Sequence, residues 1–293
     1  MTVRHFAVVG DPVDHSKSPV MQRAAMRALG LAHTYEAVRA TAAELPGVVQ
    51  DLRDGVYDGL NVTVPHKERV LALVDALDPS AKVAGAANTL VRDVGGRLVA
   101  HNTDAPALAA ELRRLAAAAS WPADARALVL GSGGAARAAV TAIGVHLGIR
   151  DIVVRARSFA DPARRDAFVA TAACPVTPEP WDRSSASARS GSGVTEARTL
   201  VLVQATSAGM RGADPGDEAA GVVAWDALPA DAVAVDVVYA PRDTPWLKAA
   251  RARGVRCDDG LGMLARQGAL ALELWLGGFA GDSPLAAMRA ALE

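Results

Sequence analysis

Lysine and cysteine are both scarce in this chain of 293 residues. Only four of the 31 basic residues are lysine, at positions 17, 67, 82 and 248, and the other 27 are arginine. Because arginine supplies most of the positive charge, a lysine that follows a strand-like stretch suggests a role in which a proton must leave, which arginine cannot fulfil. The two cysteines, Cys174 and Cys257, lack the close Cys or His neighbours of a zinc site. We therefore expect both to be reduced and predict no metal site.

Long apolar runs and a large net charge are also absent. The formal net charge is −1, with 51% hydrophobic and 22% charged residues, a balance that does not indicate binding to nucleic acid or to a membrane surface. The apolar run in MTVRHFAVVGDP is too short for a signal peptide, and no later segment reaches the roughly 20 apolar residues of a spanning helix. The sequence thus predicts a cytoplasmic globular protein and leaves open whether it is a monomer or a homodimer.

Strand-like and helix-like segments alternate along the whole chain, which is typical of an α/β protein with mostly parallel sheets. A hairpin is predicted at Gly95 and Gly96, followed by a helix from about Ala105 to Ala119. The serine-rich stretch Asp182 to Arg198 predicts a flexible surface excursion. The predicted strands are His5 to Gly10, Tyr35 to Arg39, Gly59 to Pro65, Ile152 to Arg155, Leu200 to Ala205 and Val233 to Val238.

The segment ARALVLGSGGAARAAVTAI combines a short strand, a glycine turn and an apolar helix. Gly131, Gly133 and Ala136 match G-x-G-x-x-A, in which a tight turn lets a pyrophosphate approach the backbone at a helix N-terminus. The motif alone is weak, but its position between a strand and a helix strengthens it. No lysine follows in the register of a P-loop. We therefore predict dinucleotide binding rather than a purely structural turn.

The end of the next strand distinguishes the two nicotinamide cofactors. An acidic residue there would bind a ribose 2′-hydroxyl group, whereas an arginine favours a 2′-phosphate. The segment IVVRARSFADPARR carries Arg155, Arg157, Arg164 and Arg165, and Asp161 comes only later. This pattern favours NADP, with a solvated basic loop as the alternative.

Clustered polar residues in the first third of the chain predict a site for a small polar molecule. Ser16 and Ser18 precede a predicted helix, where their hydroxyl groups either cap the helix or bind a carboxylate. A further set of amide and hydroxyl side chains suits a substrate with several hydroxyl groups, since each buried hydroxyl needs a partner. This set comprises Asn61, Thr63, Asn88, Thr89, Asn102 and Thr103.

Lys67 and Asp104 complete the polar cluster as a possible acid/base pair. The carboxylate would hold and tune the ammonium group. Nucleophilic and metal-dependent catalysis find less support, because neither G-x-S-x-G nor H-E-x-x-H occurs.

Eight segments together resemble the shikimate dehydrogenase family, in the family's order and across nearly the whole chain. They are GDPVDHSKSP, GLNVTVPHK, GAANTL, NTD, GSGGAARA, QATSAGM, DVVYAPRDTP and GLGMLARQGA. The resemblance implies an α/β substrate domain over residues 1–105, a Rossmann-type NADP-binding domain over 106–260, and C-terminal helices over 261–293 that pack on the substrate domain. It also implies reversible reduction of 3-dehydroshikimate to shikimate in the biosynthesis of chorismate and aromatic amino acids.

The same resemblance assigns roles to individual positions. Lys67 and Asp104 match the catalytic pair, and Ser16 and Ser18 match serines that bind the substrate carboxylate. Asn61, Thr63, Asn88 and Gln267 match residues that hold the substrate hydroxyl groups, and Tyr239 lies at the family tyrosine near the carboxylate. Arg157 matches the arginine that contacts the 2′-phosphate, and Met263 lies where the chain passes the nicotinamide. The full set expected to bind the cofactor is Gly131, Ser132, Gly133, Gly134, Ala135, Arg155, Arg157, Thr206, Ser207 and Met263.

Four positions depart from the family pattern. Gln204 replaces the usual Asn, Ala156 and Ser158 flank Arg157 where Asn and Thr are usual, and Ala107 replaces a common Gly. Relatives that act on quinate or aminoshikimate, or that use NAD, therefore remain alternatives. A ligand-sensing regulator without turnover is an alternative of another class.

Overall fold

A computed structural model describes residues 2–117, 120–181, 198–279 and 283–293 of the chain. The chain divides into two compact units. Unit 1 comprises Met1–Ala107 and Gly262–Glu293, and unit 2 comprises Leu108–Leu261. Residues 182–197, which hold nearly all of the serine-rich stretch, lie outside the described residues.

Unit 1 is built on a mixed sheet of six strands in the order β2-β1-β3-β5-β6-β4. Strands β1, β2 and β3 run parallel, while β5 pairs antiparallel with β3 and β6. The strands are β1 (His5–Gly10), β2 (Thr34–Arg39), β3 (Gly59–Val62), β4 (Ala76–Leu77), β5 (Thr89–Arg92) and β6 (Leu98–His101). The helices of this segment are α1 (Ser18–Ala28), α2 (Leu45–Asp54) and α3 (Pro79–Ala84), with a 3₁₀ turn at Arg69–Leu73. Helix α4 (Asp104–Ala116) begins in unit 1, and its residues from Leu108 onward belong to unit 2.

Helix α2 shows how the sequence forms the core of unit 1. Leu45, Val49 and Leu52 recur at helical spacing and are buried against Val9 and Leu60 of the sheet. The helix ends at Gly55, whose φ of 83° is the left-handed conformation that glycine adopts without strain.

Unit 2 is built on a six-stranded sheet that is parallel throughout, in the order β12-β11-β10-β7-β8-β9. This is the Rossmann order, and the strand order reverses between β7 and β10. The strands are β7 (Arg126–Leu130), β8 (Asp151–Ala156), β9 (Thr177–Pro180), β10 (Thr199–Gln204), β11 (Val233–Asp236) and β12 (Arg256–Asp258). The helices are α5 (Gly134–Thr141), continued by a π turn at Ala142–His146, α6 (Pro162–Ala170), α7 (Asp217–Gly221) and α8 (Pro245–Ala252), with 3₁₀ turns at Arg157–Ala160 and Trp225–Ala227.

The chain returns to unit 1 with α9 (Leu261–Leu276) and α10 (Leu285–Ala290). Gly268 of α9 faces α1, where an added Cβ atom would overlap Met21. Gln22 of α1 donates a hydrogen bond of 3.0 Å to the Gly268 carbonyl oxygen. Glycine therefore lets α9 approach α1 closely, which fixes the position of the residues that follow on α9.

The α/β prediction and the predicted parallel strands are confirmed, with differences at some strand ends. The strand that begins at Gly59 ends at Val62 rather than Pro65, because the chain then turns, with the His66 amide donating to the Thr63 carbonyl oxygen over 2.9 Å, and proline has no amide hydrogen to continue the ladder. Strand β11 ends at Asp236 rather than Val238, because the Asp236 side chain accepts the Val238 amide. Within the described residues, no helix has both the length and the apolar character that crossing a membrane requires.

Candidate active site and cofactor site

Lys67 and Asp104 of unit 1 form a salt bridge. The Nζ atom of Lys67 lies 2.6 Å from Oδ2 of Asp104, and the two side chains are 16% and 5% exposed. The Lys67 carbonyl oxygen accepts a hydrogen bond of 2.8 Å from the Ala87 amide, which fixes the backbone after β3. Asp104 is the first residue of α4, where the helix dipole favours a carboxylate. The ammonium group is therefore held in one place while part of the side chain stays accessible.

Asn88 holds the other oxygen of the Asp104 carboxylate. Its Nδ2 atom lies 2.9 Å from Oδ1 of Asp104, 2.9 Å from Oγ1 of Thr103 and 3.1 Å from Oε1 of Gln267. Its Oδ1 atom accepts the Thr103 amide over 2.7 Å, which defines the orientation of the Asn88 side chain. The predicted substrate residues Asn88 and Gln267 thus contact each other, and Asn88 contacts the predicted catalytic aspartate.

Asn61 lies behind Asn88 and is buried. Its Nδ2 atom donates to the Asn88 carbonyl oxygen over 3.0 Å and to Oγ1 of Thr89 over 3.1 Å. Its Oδ1 atom accepts the Tyr35 hydroxyl over 2.7 Å. Burial raises the pKa of the Tyr35 hydroxyl well above its ordinary value, while a hydrogen bond from the Ser18 side chain acts in the opposite direction. Tyr35 is therefore a neutral donor to Asn61 and a neighbour of Ser18.

These contacts form one hydrogen-bonded series from Tyr35 through Asn61 and Asn88 to Asp104. The series runs from β2 through β3 and the residue before β5 to the start of α4. Unit 1 thus brings the two predicted substrate asparagines and the predicted catalytic pair into a single polar cluster.

The other two predicted substrate residues of this segment lie at turns. The Ser16 hydroxyl oxygen accepts the Ser18 amide over 3.3 Å at the start of α1. Thr63 packs its methyl group over Gly10, where an added Cβ atom would overlap it. Side chains at both positions are partly exposed, so both can meet a small molecule.

The glycine turn of unit 2 lies at the reversal of strand order. Gly131 has a φ of 116°, and an added Cβ atom would lie 2.9 Å from the Ala205 carbonyl oxygen, so only glycine fits. Gly133 precedes α5, and a Cβ atom added there would meet no atom within 4 Å. The N-terminus of α5 therefore has open space beside its amides, as the approach of a pyrophosphate requires.

Five further predicted cofactor residues, Ser132, Gly134, Ala135, Thr206 and Ser207, lie on this turn and on the loop after β10. Ser132 shares a hydrogen bond of 2.7 Å with the Ser158 hydroxyl, and Gly134 and Ala135 begin α5. Thr206 donates to Oε1 of Gln204 through both its amide (2.6 Å) and its hydroxyl (2.7 Å).

Gln204 stands where the family usually has Asn, and its side chain bonds residues of the loop that follows β10. Its Nε2 atom donates to the Ala208 carbonyl oxygen over 2.9 Å. The loop that carries Thr206 and Ser207 is thus closed by the glutamine itself.

Arg155 is a correction to the predicted cofactor set. Its side chain is buried, and its guanidinium donates to Glu179 over 2.8 Å and to the Val222 carbonyl oxygen over 2.7 Å. These contacts hold β8 against β9 and the segment after α7. Arg155 therefore stabilises the sheet and is not placed to bind a phosphate.

Arg157 lies just beyond the end of β8, and its side chain is 50% exposed. Its Nη2 atom lies 2.7 Å from Asp214 and 2.7 Å from Glu218. The guanidinium also lies 5.2 Å from the centre of the Trp181 ring. The hydrogen bond from Arg157 to Asp214 is the largest influence that raises the pKa of the arginine.

Two predicted residues lie on other segments. Tyr239 follows β11 in unit 2, and Met263 lies in the first turn of α9 in unit 1, where its side chain is buried. The roles assigned to both stay predictions.

Sequence reasoning missed three residues that contact the predicted site residues. Tyr35 donates to Asn61, and Asp214 and Glu218 contact Arg157. The burial of a phenol inside a strand is the one signal that could have singled out Tyr35, since a buried hydroxyl needs a partner.

Comparisons with known proteins agree with the family resemblance of the sequence segments. The family described as shikimate dehydrogenase substrate binding domain matches residues 8–90. A protein named shikimate dehydrogenase (NADP(+)) from Methylobacterium radiotolerans is 42% identical over 278 residues, with 94% of this chain and 92% of the relative covered.

Solved structures extend the comparison to the fold. Shikimate 5-dehydrogenase from Thermus thermophilus, solved with NADP(H) and shikimate, is 35% identical with a TM-score of 0.78 and covers 99% of this chain and 98% of its own. Ligand-free 5-ketofructose reductase of Gluconobacter sp. strain CHM43 is 27% identical with the same TM-score of 0.78, over 100% of this chain and 98% of its own.

Proposed function

Because the chain belongs to the shikimate dehydrogenase family, we propose that it is the NADP-dependent oxidoreductase that reversibly reduces 3-dehydroshikimate to shikimate, a step in the biosynthesis of chorismate and aromatic amino acids. The observation that carries the proposal is the Lys67–Asp104 pair, in which separate protein groups hold both carboxylate oxygens. An ordered lysine that stays accessible is what acid/base catalysis at a carbonyl oxygen needs.

In this mechanism Lys67 moves the proton and Asp104 holds Lys67. NADP supplies or accepts the hydride when it is bound. During reduction the Lys67 ammonium group donates a proton to the ketone oxygen, and during oxidation the neutral amine removes it from the hydroxyl group. Assistance of this kind contributes about 10²- to 10⁴-fold in rate.

The substrate-binding roles follow from the polar cluster of unit 1. We assign the substrate carboxylate to the Ser16 and Ser18 hydroxyl groups, and the substrate hydroxyl groups to Thr63, Gln267 and the two asparagines. The role of Tyr239 stays a prediction from the family resemblance. Asn61 and Asn88 already bond protein groups through their amides, so their main contribution is to fix the cluster.

For the cofactor, we assign the pyrophosphate to the Gly131–Ala135 turn and the 2′-phosphate to Arg157. Thr206 and Ser207 complete this set in unit 2, and the role of Met263 stays a prediction from the family resemblance. The open N-terminus of α5 and the exposure of the Arg157 side chain support this assignment.

An initial-rate assay of nicotinamide absorbance tests the proposal. Purified protein is offered shikimate, quinate or aminoshikimate, each with NADP and with NAD. Rapid reduction of NADP with shikimate is the expected result. A preference for quinate or aminoshikimate would move the substrate assignment to those relatives. No absorbance change in any pairing would overturn the enzyme assignment in favour of a ligand-sensing regulator. The cytoplasmic location and the monomeric or homodimeric state stay predictions.

A further inference from the structure

The arginine assigned to the 2′-phosphate is already engaged by two carboxylates. Asp214 and Glu218 both lie 2.7 Å from the same nitrogen, Nη2 of Arg157. Nη2 donates a hydrogen bond to Asp214, and the Glu218 carboxylate forms an ion pair with the same nitrogen. All three side chains belong to unit 2 and are between one-third and one-half exposed, so a ligand can reach them.

The Asp214 partner is held in position by its own backbone contacts. Oδ1 of Asp214 accepts the Gly216 amide over 2.9 Å, and the Asp214 carbonyl oxygen accepts the Gly209 amide over 2.7 Å. Hydrogen bonds from Gly216 and then from Arg157 lower the pKa of the Asp214 carboxyl. Glu218 lies in the first turn of α7. Asp214 is therefore ionised at neutral pH and is directed at the guanidinium by the fold.

The local charge opposes a second anion. Two carboxylates around one guanidinium leave a net charge of −1, and a phosphate monoester adds about −1.5 to −2 at pH 7. A 2′-phosphate must either displace the carboxylates from Arg157 or bind beside them. A 2′-hydroxyl group has no such conflict, since carboxylate oxygens accept hydrogen bonds from it.

We propose that Asp214 and Glu218 set the cofactor preference of this chain by competing with the 2′-phosphate of NADP for Arg157. They narrow the preference for NADP over NAD that Arg157 alone would give. The inference rests on the proposed function, because it takes the cofactor site from there and adds the residues that determine its specificity.

Binding of the cofactors alone tests the inference. Dissociation constants for NADP and for NAD are measured by calorimetry for the full chain and for Asp214→Asn, Glu218→Gln and the double variant. Both substitutions keep the shape of the side chain and remove its charge. From the Coulomb energy of partly exposed charges, we expect NADP to bind about five- to tenfold more tightly to each single variant, with NAD changed less than about twofold.

Asp217→Asn is the matched control. Asp217 neighbours Glu218 in the sequence and is exposed, and no ion pair links it to Arg157 among the described residues. Its substitution should leave both dissociation constants unchanged. Addition of salt should reduce the gain of the Asp214 and Glu218 variants, because screening weakens the removed repulsion.

Two results would overturn the inference. An unchanged ratio of the NADP and NAD constants in both variants would show that the carboxylates do not compete. Weaker NADP binding would show that they orient Arg157 for the phosphate instead. Failure of the proposed function would give a different result. The ratio of the NADP and NAD dissociation constants would still shift in the variants, but shikimate would not be oxidised with either cofactor.

Discussion

Asn88 donates a hydrogen bond of 2.9 Å to Oδ1 of Asp104, while Lys67 occupies Oδ2 of the same carboxylate. The carboxylate cannot rotate without breaking one of these bonds. The position of the Lys67 ammonium group therefore depends on an asparagine that it does not touch.

Replacement of Asn88 by alanine should lower kcat about ten- to hundredfold with little change in KM. The substitution leaves Oδ1 of Asp104 and the Thr103 amide without their partner, which should also lower the free energy of unfolding by about 1–3 kcal/mol. Measurement of kcat per folded molecule, with the folded fraction taken from circular dichroism, separates positioning from mere destabilisation, because a displaced Lys67 lowers the turnover of the protein that remains folded. Thr89→Val is the control: it removes a hydroxyl group that contacts Asn61, and it should keep kcat per folded molecule. An unaltered kcat per folded molecule in Asn88→Ala would exclude the positioning role.

Replacement of Lys67 by alanine should lower turnover at least about 10²- to 10⁴-fold and leave NADPH binding nearly intact. Arginine at position 67 should not restore activity, because a guanidinium group stays protonated. Steady-state rates and fluorescence titration with NADPH measure the two effects. Lys82→Ala, at an exposed position in α3, should behave like the unchanged chain. Full turnover in Lys67→Ala would remove this lysine from the mechanism.

The two glycines of the turn after β7 should respond differently to alanine. Gly131→Ala places a Cβ atom 2.9 Å from the Ala205 carbonyl oxygen at a positive φ, so the melting temperature should fall. Gly133→Ala meets open space and should keep the melting temperature while NADP binding weakens, because the methyl group fills space beside the amides of α5. Thermal unfolding and calorimetry distinguish the two. An equal fall in melting temperature in both variants would contradict the difference in space between the two glycine positions.

Asp236 should make stability fall as the pH rises from about 4 to about 7. Burial raises the pKa of this carboxyl from 3.8 to about 7, against hydrogen bonds from Thr244 and Val238 that lower it. In that window the folded chain binds the proton more tightly than the unfolded chain, so each pH unit costs up to roughly 1.4 kcal/mol. Above pH 7 the stabilisation from the Asp236 proton is lost, and the contribution of Asp236 to the free energy of unfolding no longer changes with pH.

Urea unfolding at pH 5 and at pH 7.5 checks this sign. The wild-type chain should lose more stability between the two pH values than Asp236→Asn, which cannot ionise. Asp217→Asn, at an exposed carboxyl, should follow the wild-type chain. Parallel behaviour of the wild-type chain and Asp236→Asn would show that Asp236 keeps an ordinary pKa.

The sequence predicted the parts of the site that depend on local pattern. A strand, a glycine turn and a helix in succession indicate a dinucleotide turn, and the structure places Gly131 where the strand order reverses. The polar cluster suggested Lys67 and Asp104 as an acid/base pair from their chemistry, although 37 positions separate them, and the family resemblance gave each its role.

Other parts depend on where strands end and how they pair. Arg155 and Arg157 have the same parity along β8, and their roles differ because β8 ends at Ala156. The contact between Tyr35 and Asn61 requires the register of three strands, in which Phe6 pairs with both Tyr35 and Gly59. A single sequence does not contain this register, so Tyr35 could not be linked to the site in advance.

The division of unit 1 into two stretches of chain has a consequence for its synthesis. Asn88 and Gln267 are 179 positions apart, and their hydrogen bond joins the first stretch to α9. A ribosome therefore completes all of unit 2 before it releases the last partner of the polar cluster. Until α9 is synthesised, the surface of the first stretch that packs against α9 stays exposed. Contacts over such sequence distances also form late and slowly.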